Sequence, residues 1–176
     1  MSASTPPALP LRPGHLQKTG HARALEARAR KRAEAEAMGI DEAFISDLVE
    51  RFYGKIRQDA LLGPIFAAQI SEWPAHLARM KQFWRSILHN SGEFTGNPMH
   101  KHMMLPQQLG QAHFAHWLEL FYATLRDGGA RPEAVREIGS RARMIADSLL
   151  TGITLHHSGP GGGLSGARAG DNLPHP

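Results

Sequence analysis

Residues 41–66 read DEAFISDLVERFYGKIRQDALLGPIF. Phe44, Ile45, Leu48, Val49, Phe52, Tyr53 and Ile56 recur at steps of three and four, which places them on one apolar stripe of a helix. Asp41 stands where an N-cap belongs, and Gly63-Pro64 breaks the pattern. Working outward, the same period continues. Ser71-Glu72-Trp73-Pro74 opens a second helix, with Pro74 at its first position, where a missing N–H costs nothing, and the helix runs to about His89. The next residues hold Gly92, Gly96 and Pro98 and read as a loop. A short helical piece passes through His102 and ends before Pro106. Residues 111–127 carry Phe114, Trp117, Leu118, Phe121 and Leu125 on one stripe, and Gly128-Gly129 stops it. Pro132 opens a last helix with Val135, Ile138, Ala142, Ile145 and Leu149 inward. No stretch alternates with period two over a useful length, so the class is all-α with no sheet.

Composition narrows the chemistry. Cysteine is absent, which excludes disulfide scaffolds, Cys-ligated zinc, iron–sulfur clusters, thiolate-ligated haem and the covalent attachment of c-type haem. It also fits a reducing cytoplasm. No apolar run approaches the ~20 residues of a membrane span, and the basic N-terminus is not followed by the apolar stretch of a secretory signal. The formal charge of +4 would suit an anionic partner, but its distribution argues otherwise. Residues 1–38 hold seven Lys/Arg and three Glu, whereas the remainder holds thirteen of each sign. The globular part is neutral. The arm lacks aromatics for base stacking and its Glu residues dilute its charge, so neither nucleic acid nor membrane is expected as a partner.

The chain divides into three parts. Residues 1–38 form a basic Ala/Arg/Glu-rich arm: the first twenty are rich in Pro, Ser, Thr and Gly and read as disordered, and residues 21–38 favour an exposed, fraying helix with only Leu25 and Met38 to bury. Residues 39–155 form the folded domain. Residues 156–176 form a Gly/Pro-rich tail that reads as disordered.

Four side chains carry candidate chemistry. His76 shares a helix face with Met80, Phe83 and Ile87. Tyr53 and Trp117 lie on inner stripes. On spacing alone His76 reads as a helix-edge histidine reaching water, Tyr53 as a core tyrosine and Trp117 as plain packing. His102 sits between Pro98 and Pro106 in an apolar setting, and no second ligand stands at three or four residues, so the pattern is not that of zinc. It suits equally a surface-loop histidine or a single axial ligand to haem iron, whose porphyrin supplies the other four.

The stretches LVERFYGKIRQDALLGPIF (48–66), WPAHLARMKQFWRSIL (73–88), FTGNPMHKHMMLP (94–106), HFAHWLELF (113–121) and RARMIADSL (141–149) together resemble the truncated haemoglobins, and specifically the third group of that family. The resemblance spans residues 39–153. It implies a two-over-two helical globin fold around haem b, with His102 as the iron's ligand and Tyr53, His76 and Trp117 as distal polar residues. Phe66 matches the aromatic in the bend between the first two pocket helices, and Phe52, Met80, Phe83 and Trp84 match pocket or near-pocket positions. With His102 as the ligand, a backbone carbonyl about one turn before it is expected to accept its other ring N–H and so set the tautomer. Neither tail belongs to the family pattern.

The resemblance further implies binding of O₂, with CO, NO or peroxide as related ligands. In that role the protein is an oxygen carrier or store. The same donors would also suit a redox enzyme, peroxidase-like or an NO dioxygenase, and with no reductase fused to the chain that role needs an external reductant.

Overall fold

The computed structural model describes residues 14–158 and 168–176, so the disorder expected of residues 1–13 and 159–167 lies outside the described residues. Seven helices follow one another: α1 (Gly14–Ala37), α2 (Glu42–Ile56), α3 (Gly63–Gln69), α4 (Trp73–His89), α5 (Pro98–Met103), α6 (Gln111–Asp127) and α7 (Pro132–Ser158). No strand occurs among the described residues. The helix starts follow local chemistry. Asp41 Oδ1 accepts the Phe44 N–H at 2.7 Å and caps α2. Asn97 does the same for α5, accepting the His100 N–H at 3.0 Å. At the far end of α4, Asn90 takes the left-handed conformation at φ 55°, a backbone state that Asn tolerates better than most residues.

Two helix pairs build the body. α2 packs on α4 and also on α6, and α6 packs on α7. The stripe read from the sequence is the inner face of α2: Ile45, Leu48, Val49, Phe52, Tyr53 and Ile56 are all buried. Each such side chain contributes roughly 1.5–3 kcal/mol through removal from water. Aromatic contacts cross the helix boundaries. Phe52 meets Phe121 edge-on at 5.0 Å, and Trp84 stacks on Phe121 at 5.0 Å with an interplanar angle of 16°. These rings join α2, α4 and α6 around one core.

Three features depart from the sequence reading. The Gly63-Pro64 break is itself the start of α3, whose seven residues are too few to show a period. The exposed arm helix is docked at its C-terminal end. There Ala35 is buried, Lys31 pairs with Glu137 at 3.3 Å, and Arg131 donates to the Ala37 carbonyl at 2.7 Å. The small Ala35 lets the helix backbone come close, Met38 just beyond the helix packs against the core, and Leu25 stays exposed. The tail expected to be disordered also returns to the body: residues 168–176 pack against it and bury Leu173.

Candidate functional site

A cavity of about 640 Å³ opens between the two helix pairs. One wall is α5 backed by α7. The seating of α5 is close: a Cβ at Gly152 of α7 would collide with the Met99 sulfur. From this wall His102 enters the cavity. Its Nδ1 lies 2.7 Å from the Pro98 carbonyl oxygen, four residues earlier. A carbonyl only accepts, so Nδ1 carries the proton and donates it, which leaves Nε2 with a free lone pair. That is the protonation state an imidazole needs to ligate a metal.

The other wall comes from α2, α3 and α4. Tyr53 is almost fully buried, and its ring meets Phe66 at 5.9 Å and His76 at 5.0 Å, both edge-on. Burial pushes the Tyr53 phenol far above its usual range, so it stays a proton donor. His76 is shifted the other way. Desolvation lowers its pKa, and the nearby Lys101 charge lowers it further, so the ring is neutral at pH 7. Its Nε2 is buried with no hydrogen-bond partner. Leaving such an atom unsatisfied costs about 1–3 kcal/mol. Trp117 reaches the cavity from α6, stacked on Phe121 at 5.2 Å and met edge-on by Phe52 at 5.3 Å.

The corner that carries Phe66 is tied to the helix that carries Trp117. Asp59 accepts the Leu61 and Leu62 N–H groups at 3.0 and 2.8 Å and also the His116 Nε2 at 2.7 Å. Burial works against the Asp59 charge, yet the hydrogen bonds from Leu62 and His116 hold its carboxyl below the usual range.

Of the residues singled out from the sequence, Tyr53, Phe66, His76, Met80, Phe83, Trp84, His102 and Trp117 line this one cavity. Phe52 does not; it stands one layer back, behind Tyr53 and Trp117. Sequence reasoning missed the cations of the rim. Arg79 and Lys101 line the cavity, and no Asp or Glu does. Arg79 is steadied by the Thr95 carbonyl at 3.2 Å and lies 5.2 Å from the centre of the Phe94 ring. Its place three residues after His76 was the available signal, but a charge beside an apolar stripe usually means only solvent. Trp73 was missed as well. It packs behind His76 at 5.8 Å, with the Arg57 guanidinium 5.0 Å from its ring centre.

These walls suit a flat, mostly apolar group that carries acidic substituents. The lining is largely apolar, two cations stand at the rim, and one ring nitrogen is free to bind a metal. The orphaned His76 Nε2 calls for a partner that the protein itself does not supply. Among the described residues no cluster of three or more His, Asp or Glu could hold a bare metal ion.

Comparison with known proteins gives the same answer. The family model for bacterial-like globins matches residues 35–149. The group 3 truncated haemoglobin of Campylobacter jejuni is 39% identical over 111 residues, covering 61% of this chain and 86% of that protein. The crystal structure of a group III truncated haemoglobin from C. jejuni superposes with a TM-score of 0.59 at 36% identity, over 63% of this chain and 89% of that one. The fold is shared more widely. The 2/2 haemoglobin of Synechococcus sp. PCC 7002 gives a TM-score of 0.58 at 21% identity over 66% and 96% of the two chains. The group II truncated haemoglobin of Bacillus anthracis gives 0.57 at 23% identity over 66% and 88%. The chain therefore belongs to the bacterial-like globins, a haem-binding family, and within them to the group III truncated haemoglobins with the two-over-two fold.

Proposed function

We propose that this globin holds haem b through His102 Nε2 and binds O₂, or a related diatomic ligand, on the side lined by Tyr53, His76 and Trp117, as an oxygen carrier or store in the cytoplasm. The observation that carries the reading is the pairing within one cavity of a histidine pinned through Nδ1 to Pro98 and a second histidine whose Nε2 has no partner. His102 would hold the haem b, which would supply the iron at which a diatomic ligand binds.

The chain's own residues do the rest. The Nδ1–H bond to Pro98 sets the His102 tautomer and makes Nε2 a stronger donor to a metal. Arg79 and Lys101 would face the carboxylates of the haem. Tyr53 keeps its proton and can donate it in a hydrogen bond to a ligand carrying partial negative charge. The Trp117 indole is a donor only. His76 is neutral and can donate or accept, directly or through a water. Inside a cavity of low dielectric these bonds are stronger than in water.

Several donors around one ligand also favour a second reading, in which the same groups polarise an O–O bond in peroxidase-like or NO-dioxygenase chemistry driven by an outside reductant. Absorption spectra of the purified protein, oxidised, reduced and CO-bound, test the shared premise: haem bands of a histidine-ligated globin are expected, and their absence after haem is supplied would refute both readings. Slow O₂ release combined with fast reaction with peroxide or NO would decide for the enzyme.

A further inference from the structure

We propose that the outer face of α7, with Tyr122 of α6, is a peptide-binding site, and that residues 168–176 are its occupant in cis. The contacts are those of a built site. Gly139, Arg143 and Asp147 recur every four residues along one line of α7, and the tail runs along that line in the opposite direction. Arg168 pairs with Asp147 at 3.7 Å. Arg143 donates to the carbonyls of Leu173 at 3.2 Å and of Gly170 and Asp171 at 3.3 Å. Tyr122 donates its hydroxyl to the Pro174 carbonyl at 3.0 Å, and Pro176 ends against Gly139.

Two glycines make the close approach possible, one on each side. A Cβ on Gly170 would collide with the Asp147 carboxylate, and a Cβ on Gly139 would collide with the Pro176 ring. Leu173 is 2% exposed, so a full apolar side chain is gripped between these polar anchors. The occupant is also shaped in advance. Arg168 N–H donates to Asp171 Oδ2 at 2.9 Å, Asp171 N–H to the Arg168 carbonyl at 3.1 Å, and Leu173 N–H to the Gly170 carbonyl at 3.0 Å. Burial raises the Tyr122 phenol to about 12 against the opposing Arg143 charge, so its donor is present throughout the neutral range.

The chain's own tail can reach the site. Ser158 and Asp147 are eleven residues apart on one helix, about 16 Å, and the nine residues 159–167 span up to about 30 Å. A short tether supplies an effective concentration on the order of 1 mM. Stable docking in cis therefore needs only modest intrinsic affinity, and a peptide of the same pattern arriving in trans must displace the tail.

The test uses the full chain, with a protease recognition sequence placed within residues 161–166 and cut after folding. The cut chain is freed of its tail fragment, and helical content is followed by circular dichroism. A fluorescent synthetic peptide of residues 168–176 should then bind the cut chain with a Kd below about 1 mM. It should bind the uncut chain at least about tenfold more weakly, because that site is filled. Peptides carrying Leu173→Asp or Gly170→Val should lose at least about tenfold in affinity, as should a cut chain carrying Arg143→Gln. None of these readouts depends on haem. Absence of binding by a cut chain that keeps its helices would overturn the proposal. So would equal binding by the Gly170→Val peptide, or equal binding by cut and uncut chains.

Discussion

His102 and His76 face the same cavity, yet they are wired in opposite ways. His102 sits on a six-residue helix whose start is fixed by the Asn97 cap and Pro98, and the carbonyl of that same Pro98 takes its Nδ1 proton. Its one remaining nitrogen is committed to lone-pair donation. His76 sits on the seventeen-residue α4, held by ring contacts with Tyr53 and Trp73 and by no hydrogen bond at Nε2. A histidine with its second nitrogen satisfied is built to hold something permanently, whereas one left unsatisfied responds to what arrives. Residue type alone does not separate them; the Pro98 carbonyl at Nδ1 does.

The comparison breaks most sharply at haem retention. His102→Ala is expected to lose or greatly weaken haem binding, while His76→Ala and the neighbouring His100→Ala keep it, as measured by the haem-to-protein absorbance ratio after gel filtration. A normal spectrum for His102→Ala with loss in either of the others would reverse the two roles.

The next effect lies on the responsive wall. Tyr53→Phe removes a hydroxyl and keeps the packing. A hydrogen bond to a partly charged acceptor is worth about 1.5–3 kcal/mol, so O₂ release should accelerate by roughly ten- to a hundredfold. CO carries little charge when bound and should be released at a rate that changes much less. Equal acceleration of both gases in stopped-flow experiments would make Tyr53 a steric gate instead of a donor.

Smaller effects come from the arm. Its end packs on α4, the helix of His76. Removing residues 1–27 should leave the melting temperature unchanged. Removing residues 1–38 also takes away the partly buried Lys31–Glu137 pair, the Arg131 hydrogen bond to the Ala37 carbonyl and the buried Ala35. That loss is worth about 1 kcal/mol, or roughly 2–4 °C in Tm for a chain of this size. If haem loss accelerated more than O₂ release did, the arm would be supporting the His102 wall.

The smallest effect is on pH. The folded pKa of His76 lies below that of the unfolded chain, near 6.5. The unfolded state therefore takes up a proton first as pH falls. The stability that His76 contributes is present above 6.5 and is lost progressively down to its lower folded value. Melting curves between pH 7.5 and 5.5 should show a steeper decline for the native chain than for His76→Leu, and parallel curves would place His76 in water.

What the sequence showed depended on repetition. α2, α4, α6 and α7 were legible because apolar residues recur over four or more turns and because Asp41, Pro132 and Gly128-Gly129 mark their ends. The candidate site was legible through motifs that resemble a family; from spacing alone Tyr53, His76 and Trp117 were ordinary core or edge residues. The rest rests on single contacts that leave no period. α3 is two turns long. Ala35 docks the arm because it is small, and among the described residues of the Gly/Pro-rich tail Leu173 is the one that is both large and buried. The cationic rim was hidden for a related reason, since Arg79 and Lys101 look like any solvated charge until the fold turns them toward one opening.

The most direct measurement of the opposite wiring uses His102→Gly, which opens a hole where the ring stood. Free imidazole should enter it, donate its N–H to the Pro98 carbonyl and restore haem binding. 1-Methylimidazole ligates through the same type of nitrogen but has no N–H to give. It should therefore bind more weakly by the worth of one hydrogen bond, about 0.5–1.5 kcal/mol, or roughly two- to tenfold in the concentration needed for half-restoration. Failure of imidazole to restore haem binding in this variant, together with restoration in His76→Gly, would contradict the assignment of His102 as the ligand. Equal potency of the two imidazoles would contradict the role given to Pro98.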